Sequence, residues 1–167
     1  MNNTQKLTLQ LEEPWIWEGL EAPDDPLGEL SDLEMGLRRF CFECNHKVSL
    51  VIGNEKKEIF LDPDIILILD ELPEEIYKLS IGQKIQLDLP ESYMYIDLVP
   101  FADKISCTFT KFGYNPKQKH FELDTTQVLG ELIIFLETVI RKAVDGGYIT
   151  SEEKEKFLIP IRKQAIC

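Results

Sequence analysis

The stretch from Asp124 to Gly147 constrains this chain more than any other. Asp124 with Gln127 three residues later has the spacing of an N-terminal capping box, and the pair Gly146-Gly147 supplies a residue that can take positive φ and stop a helix. Between them, at 100° per residue, Val128, Leu129, Leu132, Ile133, Phe135, Leu136, Val139, Ile140, Ala143 and Val144 share one arc of about half the circumference. Gln127, Glu131, Glu137, Thr138, Arg141, Lys142 and Asp145 occupy the other. An apolar face that wide predicts a core-facing helix over about 125–145, laid on a sheet that the rest of the chain must supply.

The sheet is legible upstream. Leu7, Leu9 and Leu11 alternate with Thr8, Gln10 and Glu12, the pattern of a half-buried strand. Val48 to Ile52, the pair Gly53-Asn54 and a charged return into Ile59-Phe60-Leu61 read as a hairpin. Three further strands follow from Ile85/Leu87/Leu89, Met94/Ile96/Leu98 and Ile105/Cys107/Phe109, with a last short one over His120–Leu123. Asp62-Pro63 predicts a helix start, with Asp as N-cap and Pro at the first helical position. Pro73-Glu74-Glu75 opens a second short helix ending near Gly82, and Thr150 with Glu153 a terminal one ending before Pro160. Residues 33–45 stay ambiguous: Arg39 to Cys44 suits a strand, while Leu33 to Leu37 suits a short helix. With no internal repeat, the chain reads as one α+β domain over 1–167, a mainly antiparallel sheet covered by the long helix plus a shorter terminal helix.

Charge narrows the partners. Eighteen basic residues against 30 acids give a net charge of −12, which argues against nucleic acid and against an anionic membrane. From Glu12 to Glu34 nine acids (Glu12, Glu13, Glu18, Glu21, Asp24, Asp25, Glu29, Asp32, Glu34) occur without a lysine or arginine, around Trp15 and Trp17. Pro14, Pro23 and Pro26 make this an acidic loop over about 12–34. One reading has the tryptophans pinning the loop across the sheet; the other has at least one as an aromatic anchor in an acidic rim, with Glu18, Glu21, Asp24 and Asp25 around it. No secretory signal is evident, and four cysteines are too few for a disulfide framework, so reduced thiols in a cytoplasm are expected.

Two constellations invite chemistry. Cys41-Phe42-Glu43-Cys44-Asn45-His46 offers zinc-ligand types but no second Cys-x-x-Cys, and on a strand the two thiols face opposite ways, so no metal and no cofactor are expected. Tyr93, Tyr95 and Asp97 share one side of their strand, and His120 and Glu122 one side of theirs; if those strands are neighbours, acid–base groups converge. Solvated sheet faces carry such residues as a matter of course. On the long helix Ile134 falls amid the polar arc beside Gly130, a spot suited to contact with a second copy or another element. The expected function is a protein-binding module, of the inhibitor or immunity kind, masking a basic protein partner. The alternatives are an enzyme using the Tyr93/Tyr95/Asp97/His120/Glu122 face, or a structural subunit of an assembly.

Overall fold

The computed structural model describes residues 5–14, 22 and 24–162. Strands β1 (Leu7–Pro14), β2 (His46–Ile52) and β3 (Glu55–Phe60) form one antiparallel sheet in that order. Strands β4 (Ile85–Leu89), β5 (Met94–Phe101), β6 (Lys104–Lys111) and β7 (Lys117–Asp124) form a second antiparallel meander. Helices α1 (Asp32–Glu43), α2 (Ile66–Leu69), α3 (Leu72–Ser80), α4 (Thr125–Asp145), α5 (Ser151–Phe157) and α6 (Ile159–Arg162) complete the described part of an α+β domain.

Alternation decides which side of each strand is buried. Leu7, Val48, Leu50, Ile52 and Ile59 line the inner face of the first sheet, and Ile85, Leu87, Leu98, Ile105, Cys107, Phe109 and Leu123 that of the second. The wide face of α4 joins them: Val128, Leu132, Leu136, Val139, Ile140 and Ala143 are each fully enclosed. Its ends follow the expected chemistry. Asp124 Oδ2 accepts from Gln127 N at 3.0 Å. At the other end Gly147 takes φ +80°, Tyr148 N donates to Ala143 O and Gly147 N to Val144 O, the two bonds of a Schellman stop.

One half of the expected capping box is not made. The Gln127 side chain turns to the edge of the first sheet, accepting from Leu7 N at 3.1 Å and donating to Leu7 O at 2.6 Å. One turn on, Glu131 Oε1 accepts from Leu9 N at 3.0 Å. Four helical residues advance about 6 Å and two strand residues about 6.8 Å, so the helix can read the strand rung by rung. These two side chains stand where a neighbouring strand would stand.

Other details depart from the sequence reading. The ambiguous run is helical as far as Glu43, with Cys44 at its C-terminal cap: Ser31 Oγ caps the helix by accepting from Glu34 N, and Gly36, Leu37, Phe40 and Cys41 bury one side of it. Gly36 is required there, because a Cβ would run into the Tyr148 carbonyl oxygen. Asp62 has extended backbone (φ −123°, ψ 122°) and caps nothing; Asp64 fastens the bend, accepting from Phe60 N at 2.9 Å and from Ser92 Oγ at 2.6 Å. A π-type turn over Leu61–Ile65 then leads into α2. The last strand begins at Lys117, three residues before its predicted start, and Tyr93 lies outside β5 in the left-handed region at φ 56°. Thr150 and Glu153 form the predicted capping box, and α5 stops at Phe157, but Pro160 is the second residue of a further short helix. No described helix is long and apolar enough to cross a membrane.

Candidate functional site

Acids far apart in the sequence influence one another near the start of α1. The chain enters that helix through an exposed Asp24 and a half-buried Asp25, whose Oδ2 accepts from Leu30 N at 2.8 Å. The helix then carries Asp32 and Glu34 in its first turn. Across from it lies the α2–α3 connection. The Asp70 carboxyl is pushed up by burial and then by the charges of Glu34 and Glu71. Asp62 is pushed up by burial and by Asp64, against the pull of Arg38. Like charges thus act on one another here, while Glu75, further along α3, is paired with Lys78 at 3.0 Å.

The outer face of the second sheet holds the residues that the sequence suggests for acid–base chemistry. Gln86, Asp97, Thr108 and His120 lie opposite one another in a single row across β4, β5, β6 and β7. The expected adjacency does not occur: β6 separates β5 from β7, which puts Asp97 and His120 about 10 Å apart at two strand spacings. His120 Nδ1 pairs with Thr108 Oγ1 at 3.0 Å, and Asp97 Oδ1 accepts from Gln86 Nε2 at 2.9 Å. Tyr93 and Tyr95 stack instead around Phe112, with ring centroids 5.9 and 6.2 Å away. Glu122 sits in the next row, opposite Ser106. His120 and Glu122 are exposed and Tyr95 and Asp97 half-buried, so this is an open polar face rather than a closed pocket.

Two grooves cross this face. One, of about 550 Å³, runs along Val99, Phe101, Lys104, Ser106, His120 and Glu122. The other, of about 650 Å³, is lined by Glu71, Glu75, Lys84, Asp97, Val99 and Thr108. Val99 belongs to both, and Glu71 belongs also to the acidic ridge. Sequence reasoning passed over Val99 and Phe101. The signal was present: continuing the alternation of Met94, Ile96 and Leu98 places Pro100 inward and leaves Val99 and Phe101 as apolar residues on the polar side.

The cysteines are set apart from these grooves. On a helix Cys41 and Cys44 are three residues apart and share a side, in place of the opposed directions a strand would give. Cys41 is buried, and that burial pushes its thiol far up; Cys107 is pushed up to about 12, again by burial first. Such thiols are poor nucleophiles and poor ligands. Cys44 Sγ lies 3.4 Å from the Tyr148 hydroxyl, a contact that, with burial, raises Tyr148 to about 12. Among the described residues no group of three or more His, Cys, Asp or Glu could hold a metal ion.

Trp15, Trp17, Glu18 and Glu21 lie outside the described residues. Ile134 is 63% exposed, and nothing stands within 4 Å of where a Gly130 Cβ would be, so no described element covers that spot. Comparison with family models, with curated proteins and with solved structures yields no match.

Proposed function

We propose that this chain is a protein-binding module of the inhibitor or immunity kind, presenting an acidic surface to a basic partner protein in a reducing, cytoplasmic setting. The carrying observation is that the charge of Glu34, from α1, and that of Glu71 both bear on a partly buried Asp70 and hold its carboxyl up. Self-repulsion of this kind destabilises the free chain, and a cationic partner relieves it while drawing speed and selectivity from charge complementarity. Trp15, Trp17, Glu18 and Glu21 of the acidic segment, with Asp24 and Asp25, are the other residues this reading assigns to partner contact. Ile134 is the complementary choice if the partner is a second copy.

The test is affinity purification of the full chain at low salt, with mass spectrometry of what accompanies it. A stoichiometric basic protein is expected, released as salt rises because exposed charges are screened beyond about 10 Å at 0.1 M. The triple variant Glu34→Gln, Asp70→Asn, Glu71→Gln should lose it. A bound small molecule with no accompanying protein would instead direct attention to the His120 face and an enzymatic role.

A further inference from the structure

We infer that the partner is anchored on the open face of the β4–β7 sheet by a segment in which a bulky apolar side chain adjoins lysine or arginine. The apolar side chain fills the groove beside Phe101, and the cation lies in the adjoining groove over Glu71 and Asp97. This rests on the acidic-surface reading and adds to it a site and a recognised chemistry.

Phe101 is 76% exposed and Val99 42%, on the same outward side of β5 and at its end. Ala102, the first of the two residues that turn β5 into β6, takes φ +55°, the positive φ that a two-residue hairpin turn asks of that position and that non-glycine residues rarely adopt. The hairpin end is fastened: Thr125 N donates to Asp103 O at 3.3 Å, and Lys104 Nζ stands 4.0 Å from Asp124. Phe101 is therefore presented from an anchored turn, which lowers the entropy lost when something packs on it.

Charge selects the occupant. In the adjoining groove Lys84 is the lone lining cation against Glu71, Glu75 and Asp97. Asp97 is engaged by Gln86 and Glu75 by Lys78, whereas the Glu71 carboxylate makes no ion pair among the described residues. An apolar slot next to an exposed carboxylate that makes no ion pair among the described residues suits a basic segment carrying one large apolar residue. A second copy suits it poorly. It would bring −12 against −12. A face of three eight-residue strands and one of five also offers roughly 500 Å² per copy, against about 800 Å² in a standard interface.

The experiment titrates the isotope-labelled full chain with an acetylated hexapeptide of alternating lysine and tryptophan, followed by amide chemical shifts. Two control peptides replace tryptophan by alanine or lysine by glutamate. Shifts are expected at 71, 97–108 and 120–122 together with the Lys/Trp peptide, and none with the Glu/Trp peptide. Phe101→Ala should weaken binding about tenfold, a loss of about 1.4 kcal/mol. Ser106→Trp, which fills the groove from an exposed sheet position, should do the same, with thermal unfolding of both variants confirming the fold. If both lysine peptides shift only 32–34 and 70–75, the groove assignment is overturned while the acidic-surface reading stands. No shift with either lysine peptide overturns both. Shifts on this face that grow with protein concentration alone and vanish in Phe101→Ala would identify a second copy as the occupant and overturn the assignment to a basic segment.

Discussion

The two sheets handle their exposed groups in opposite ways. In the first, β1 would present a bare edge, yet Gln127 and Glu131 take up the outward groups of Leu7 and Leu9. The tip of its hairpin is locked as well: Glu55 receives Lys117 at 2.7 Å with Lys119 alongside, and Gly53 sits where any Cβ would meet the Phe121 ring. The second sheet leaves its outer face open and holds Phe101 out beside a two-residue hairpin turn. Where polar groups are closed off by other parts of the chain, they serve the fold. Where apolar groups stay outside a fastened framework, they are available for contact.

Substitutions should separate the two regions by size of effect. Leu136→Ala, in the helix face that braces the first sheet, should cost roughly 2–5 kcal/mol, read from denaturant midpoints. Leu132→Ala and Ile140→Ala should fall in the same range, and unchanged midpoints for all three would mean that α4 is not the keystone of the core.

Gln127→Leu comes next. It leaves both backbone groups of the buried Leu7 without their partner, which should cost about 1–3 kcal/mol. The companion change Glu131→Gln keeps an acceptor for Leu9 N and should cost less. Equal losses would show that the two rungs act through packing and not through hydrogen bonding.

The Glu55 lock adds a pH dependence. Hydrogen bonds from Lys117 and then Lys119 hold its carboxyl down to about 2 from an ordinary 4.5. A carboxyl lowered in the folded state contributes stability that is complete above about 4.5 and fades as pH falls toward about 2. The stability gap between the parent chain and Glu55→Gln, measured by denaturant titration, should therefore narrow through that window. A gap constant from pH 6 to pH 2.5 would remove the lock.

At exposed positions, Phe101→Ser on the open sheet face and Ile134→Lys on α4 should change stability by no more than about 0.5 kcal/mol. A larger loss at Phe101 would move the open face into the framework and erase the contrast.

Much of the framework was legible because its causes are local. The capping bonds of Asp124 and Thr150, the glycine stop of α4 and the alternation of buried residues along β4, β5 and β6 each depend on residues a few positions apart. The candidate surface was legible in part. His120, Glu122, Tyr95 and Asp97 do share one sheet face, but whether Asp97 meets His120 depends on strand order, and β6 comes between them. Residues 33–45 stayed open between helix and strand for a related reason: aromatic residues favour strands by local preference, while the Ser31 cap and the approach of Tyr148 to Gly36 belong to a helix that runs to Glu43.

By itself, then, the sequence determined most of the strands, the long helix, their buried sides and the strongly acidic character of the chain, since periodicity, caps and charge count are properties of neighbours and of sums. Only the tertiary structure decided what the polar groups do. It turned Gln127 from a reciprocal cap into a brace for β1, brought the charge of Glu34 to bear on Asp70, and joined the grooves through Val99. Each of those outcomes requires residues from distant segments to come together, and no local pattern carries that.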